Sequence, residues 1–192
     1  MLSFNARMQV VVDNANKVIQ DLLDLSKKQV LVGVPEEKDP RTVKEPSKIG
    51  NAALAYIHEN GSPVRGIPPR PFIDPGIKNA QENINAELLE VAMAQLDGDQ
   101  EKSDLHLNRA GLIAASSIKR VLNEGEGFAP LKRSTKLARL RRRKAMRNKP
   151  DEEREAVMES MHPLVDTGQL RNSISFSIGS KDSISYVVAD KK

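Results

Sequence analysis

The chain has 192 residues with 39% apolar and 29% charged side chains, a length suited to one compact domain and a balance typical of a soluble protein. No apolar run approaches the ~20 residues of a membrane span, and the start of the chain lacks the basic-then-apolar pattern of a signal peptide. With no cysteine, disulfides, thiolate chemistry and Cys-ligated zinc are excluded; with four Phe, two Tyr and no Trp, the core must come from aliphatic residues. The formal charge is +4, but ten basic and no acidic residues lie between Lys132 and Lys149, leaving 20 basic against 26 acidic elsewhere. This describes a mildly acidic body with one strongly basic segment, followed at once by the acidic run Asp151 to Glu155. The two can neutralise each other within one chain or between copies.

In chain order, Phe4, Ala6, Met8, Val10 and Val12 alternate as in a strand, although Met8, Val11, Val12, Ala15, Val18, Ile19 and Leu22 also share a helical face. We read a strand to Val12, then a helix capped by Asp13 or Asn14 and running to about Ser26. Gln29–Val34 is β-branched and reads as a buried strand ended by Pro35; residues 36–48, with Pro40 and Pro46, read as a surface loop. Asn51–Glu59 reads as a helix closed by a left-handed cap at Asn60-Gly61. Ser62 to Phe72 holds one Gly and four Pro, including Pro68-Pro69, and predicts a stiff extended loop.

Ile77, Ala80, Ile84, Leu88, Val91 and Ala92 predict one helix over 77–96, broken by Asp97-Gly98-Asp99. Leu107, Ala110, Ala114, Ile118, Val121 and Leu122 predict a second, ending at Gly125, and the short link makes the two antiparallel. After a loop at 125–130, Ser134 is expected to cap a basic helix to about Met146, and residues 151–161 an acidic one. Ile174, Phe176 and Ile178, then Ile184, Tyr186 and Val188, alternate on either side of Gly179-Ser180-Lys181-Asp182, predicting a C-terminal β-hairpin. The expected fold is α+β: a small, mostly antiparallel sheet packed by two long helices, in one domain over 1–192 with residues 125–163 as a charged insertion or arm.

The string Leu164-Val165-Asp166-Thr167-Gly168 matches the local pattern of aspartic proteases, whose paired carboxylates share a proton. Here Gln169 stands where that family has Ala or Ser, and the 24 residues that follow Gly168 are fewer than such an enzyme needs. The competing assignment is that Asp166 caps a turn through Gln169-Leu170-Arg171. His58, His106 and His162 are scattered; His58-Glu59 lacks the second histidine of a zinc helix, and His106 reads as a surface or boundary residue. Gly125-Glu126-Gly127 lacks the third glycine of a dinucleotide loop and puts a carboxylate where phosphate would sit. No residue is expected to be catalytic or to bind metal, and no cofactor is expected.

The basic segment is the clearest binding surface. Arg139, Arg141, Arg142, Arg143, Lys144 and Arg147 can meet an acidic partner or DNA phosphates, a contact that salt would weaken. No aromatic residue lies between Lys132 and Lys149, so base stacking is excluded there and any nucleic-acid contact should be independent of sequence.

Three blocks taken together carry a resemblance. They are Ala55-Tyr56-Ile57-His58-Glu59-Asn60-Gly61 with Ile67-Pro68-Pro69-Arg70-Pro71-Phe72; Pro130-Leu131 with Ser134-Thr135; and Pro163 to Ile174, centred on Asp166-Thr167-Gly168-Gln169-Leu170. In this order they resemble the neck and tail-completion proteins of tailed bacteriophages, also called virion morphogenesis proteins. The N-terminal strand and residues 151–161 have no counterpart in that pattern. The resemblance implies a non-enzymatic virion protein, made in the host cytoplasm, that forms a ring, commonly of six copies, between head-side connector proteins and the tail terminator or tail tube. Subunit and partner contacts are then expected at Arg65, Ile67, Pro68, Pro69, Arg70, Pro71 and Phe72, and at Asp166, Thr167, Gly168 and Leu170. The basic segment is expected to touch a neighbouring ring first and DNA in the channel second, since strong cationic binding would hold DNA that has to slide.

Overall fold

A computed structural model describes residues 15–35 and 49–180. The predicted strand at Phe4–Val12, the cap at Asp13 or Asn14, the loop at 36–48 and the second hairpin strand through Ile184, Tyr186 and Val188 lie outside the described residues. Within them the fold is α+β: eight helices and a two-stranded antiparallel sheet.

Helix α1 (Ala15–Lys27) leads directly into strand β1 (Lys28–Gly33). Helix α2 (Asn51–Asn60) and a 3-10 turn at Pro63–Arg65 precede α3 (Ile73–Asn79), α4 (Gln81–Leu96) and α5 (Gln100–Glu124). Then come α6 (Arg133–Arg142), a 3-10 turn at Lys144–Met146, α7 (Asp151–Glu159), α8 (Gln169–Ser173) and strand β2 (Ser175–Ser180).

The 25-residue α5, about 37 Å long at 1.5 Å per residue, is the spine of the molecule. Asp99 caps its start by accepting the Lys102 N–H at 2.9 Å, and Gly125, left-handed at φ 64°, closes its end. It buries a face of small residues (Ala110, Gly111, Ala114, Ala115, Ser117), which lets its neighbours approach closely, with Ile118, Val121 and Leu122 filling the space beyond. A Cβ on Gly111 would clash with the Phe176 ring of β2, and one on Gly76 of α3 would lie 2.6 Å from Ile118 Cα. The sheet pairs Val30 with Ile178 and Val32 with Phe176, so the alternating apolar residues of β2 share a face with Val30 and Val32 of β1. The main core joins Ala55, Phe72, Ile118, Leu122, Leu164, Leu170 and Ile174, so it draws on α2, α5 and the C-terminal segment at once. A second, smaller core of Leu140, Met158 and Met161 lies between α6 and α7.

The structure corrects several boundaries. The single helix expected over 77–96 is two, α3 and α4, divided at Ala80 (φ −108°, ψ 3°), and α3 starts four residues before that range. Pro75 is tolerated because it sits in the first turn, where its missing N–H has no helical partner to lose. Gly61 has positive φ (77°), but its ψ of 178° is not a left-handed helix cap. Ser134 lies inside α6 rather than capping it, and α6 stops at Arg142 instead of about Met146. Arg143 is extended there, and the following turn brings Met146 against the Leu140 and Met158 cluster, so packing ends the helix. Helix α7 likewise stops at Glu159, two residues short of Met161. His106, read as a surface or boundary residue, is 8% exposed and faces the Glu87 carboxylate at 2.6 Å across α4 and α5.

Candidate partner-binding surface

The segment after α2 is shaped by its own backbone. Ser62 and Ile67 exchange two hydrogen bonds (2.8 and 3.0 Å), clasping the Pro63–Arg65 turn, and Gly66 takes the left-handed conformation (φ 59°) that closes it. Val64, at the tip, is 99% exposed. Downstream, the Arg70 N–H donates to the His58 carbonyl at 2.6 Å. The Glu59 carboxylate then accepts three N–H groups at the start of α3: Phe72 at 2.8 Å, Ile73 at 3.0 Å and Asp74 at 3.1 Å. These are the donors a helix start leaves without a partner, and a carboxylate from another helix supplies the cap.

The three sequence blocks meet here. Arg70 donates from Nε to the Ala129 carbonyl (2.7 Å) and from Nη2 to the Pro130 carbonyl (3.0 Å), fixing the proline loop to the start of the second block. From α6, the helix that carries Ser134-Thr135 of the second block, Arg139 Nη1 donates to the His162 and Val165 carbonyls, both at 2.9 Å, joining that helix to the third block. Asp166 accepts Arg142 Nη2 at 2.7 Å and lies 4.0 Å from Arg139 Nε. It therefore does not cap the turn; the side chain at the start of α8 is Thr167, whose Oγ1 accepts the Gln169 N–H at 3.4 Å, with Gly168 left-handed before it.

Between these blocks lies a cavity of about 280 Å³, walled by His58, Arg65, Ile67, Pro68 and Arg70 on one side and by Leu131, Lys132, Thr135, Arg139 and Leu164 on the other. Leu164 is the one non-glycine residue at positive φ (65°) among the described residues, a strain of about 1–3 kcal/mol held in place by its burial in the main core. Burial, then the positive charges of Arg70 and Arg139, hold the His58 imidazole below its ordinary pKa. Its Nδ1 is buried and has no hydrogen-bond partner among the described residues. Burial also lowers Arg70, though an arginine stays charged near neutrality.

The expected contact residues divide into two kinds. Phe72 and Leu170 are 0% and 6% exposed and serve the interior of the subunit itself, so they offer no surface to a partner; Arg70, 5% exposed, braces the subunit and is open only to the cavity. Arg65, Pro69, Pro71, Asp166 and Thr167 are exposed, and Ile67, Pro68 and Gly168 are half-buried. Within the basic segment, Arg139 has a side chain only 10% exposed and acts as a strut, and Arg142 is held by Asp166. Arg133 and Lys149 pair with Glu155 and Glu153 of α7, as the adjacent acidic run suggested. Arg141, Arg143, Lys144 and Arg147 are exposed and have no ion-pair partner among the described residues.

Sequence reasoning missed Glu59 as a cap, and His58 and Lys132 as cavity residues. No local signal could have found Glu59, because it lies thirteen residues before Phe72 and only the fold brings the two together. No group of three or more His, Asp or Glu able to hold a metal occurs among the described residues, and no described helix is long and apolar enough to cross a membrane. Comparison with family models, curated proteins and solved structures finds no match to this chain.

Proposed function

We propose that the chain is a structural virion protein of a tailed phage, a ring-forming neck or tail-completion adaptor that joins the head-side connector to the tail. The observation that carries this is the meeting of the three resembling blocks around one braced ledge, through Arg70 and Arg139, with Val64 held out at its tip. A valine fixed almost fully in water costs apolar hydration that contact with another chain would recover. The packed helices α1 and α4 also leave Ile19, Leu23, Leu89 and Met93 about half or more exposed, apolar area suited to contact between subunits.

Native mass spectrometry of the purified chain tests the proposal. A closed oligomer is expected at micromolar concentration, and Val64→Glu should shift it toward monomer while leaving the helical circular dichroism unchanged. A chain that stays monomeric throughout, and is missing from purified virions, would sink the reading. The second reading, a nucleic-acid-binding protein that ignores base sequence, is favoured by the four open cations Arg141, Arg143, Lys144 and Arg147.

A further inference from the structure

The cavity between the proline loop and α6 gathers Arg65, Arg70, Lys132 and Arg139 around His58 with no Asp or Glu in its lining. Asp166, the carboxylate close to Arg139, is taken by Arg142 and does not line it. Like charges gathered this closely repel unless an anion offsets them. Donors remain for one: Arg70 Nη1 and Arg139 Nη2 make no hydrogen bond among the described residues, and the ammonium of Lys132 comes near Gly66 at the rim.

Size and lining narrow the class of anion. At about 280 Å³ the cavity falls just under the ~300–1,000 Å³ typical of cofactor and drug-sized sites, so it suits one side chain rather than a nucleotide. Ile67, Pro68, Leu131 and Leu164 give it apolar walls beside the cations. A carboxylate on a methylene stem matches both features, whereas a backbone phosphate has no apolar stem to set against those walls. We propose that this cavity is a receptor for the carboxylate of a glutamate or aspartate side chain presented by another protein chain. The inference stands on the cavity alone and holds whether or not the chain forms rings.

The test follows the His58 ring resonance of the full chain by NMR, assigned with His58→Gln, during titration with N-acetyl-glutamate methylamide. A saturable shift is expected beyond that of chloride at equal ionic strength, together with a rise in the His58 pKa as the bound anion favours the imidazolium. Arg65→Ala with Lys132→Ala should weaken binding at least tenfold; both side chains are exposed, so the fold should survive, and Arg109→Ala, at an exposed position of α5 outside the cavity, should leave binding unchanged. No saturable shift, equal binding of the neutral glutamine analogue, or undiminished binding by the double variant would each overturn the proposal. Tighter binding of inorganic phosphate than of the glutamate probe would overturn the carboxylate assignment in favour of a phosphate group.

Discussion

Glu59 illustrates how much one side chain can organise. Its carboxylate caps three N–H groups of a helix whose first turn contains a proline, and the Phe72 whose N–H it accepts is fully buried in the main core. Replacing it with alanine leaves two part-buried donors without partners, at roughly 1–3 kcal/mol. Glu59→Ala should therefore lower stability by about 2 kcal/mol in urea unfolding, with the m-value unchanged. His58, its neighbour, gives a pH-dependent prediction. Its folded pKa lies below the unfolded value of about 6.5, so between the two values the unfolded chain binds more protons. Its contribution is complete above pH ~6.5 and is lost as pH falls through that window toward the folded pKa. Unfolding free energies of wild type and His58→Gln, compared from pH 7.5 to 5, should show the extra acid-side loss in wild type alone; parallel curves would refute it.

At the scale of elements, the contacts of α5 depend on what its neighbours lack. Gly76 sits in α3 against Ile118, where an added Cβ would meet backbone atoms at 2.6 and 2.9 Å. Alanine would favour the helix by about 1 kcal/mol, but forcing two backbones apart typically costs about 1–3 kcal/mol and here has no flexible side chain to absorb it. Gly76→Ala should therefore be net destabilising by about 1–2 kcal/mol, seen as a lower melting temperature; a stabilised variant would show that α3 moves freely on α5. Element types and the long antiparallel helix pair were legible because apolar spacing and the Asp97–Asp99 break are local signals. The division at Ala80 and the stop of α6 at Arg142 were not, because tertiary contacts decide them: Glu59 starts α3 where Pro75-Gly76 suggests a loop, and the Met146 contact bends the chain where basic residues would continue a helix.

Across the whole molecule, charge is distributed unevenly between paired and open cations. Of the ten cations between Lys132 and Lys149, Arg133, Arg142 and Lys149 are bound to carboxylates of the same chain and Arg139 to carbonyls, Lys132 lines the cavity and Lys136 is half-buried, leaving Arg141, Arg143, Lys144 and Arg147 exposed for an external partner. If those four meet duplex DNA, log Kobs should fall with log salt at a slope of about −3 to −4, and changing all four to glutamine should abolish binding. A slope near −9 would mean that the internal ion pairs open on binding. The absence of DNA binding at low salt would leave protein contact as the role of this face.

By itself, the sequence determined the α+β class, the two long helices, the β1 and β2 segments and the concentration of charge in one stretch, because periodicity, helix breakers and charge are properties of neighbours along the chain. The tertiary structure alone decided that Arg70, Phe72 and Leu170 belong to the interior, that Arg139 is a strut, and that His58 and Lys132 wall the same cavity. Burial and hydrogen-bond partners depend on which distant segments come together, and His58 and Lys132 lie more than seventy residues apart in the chain.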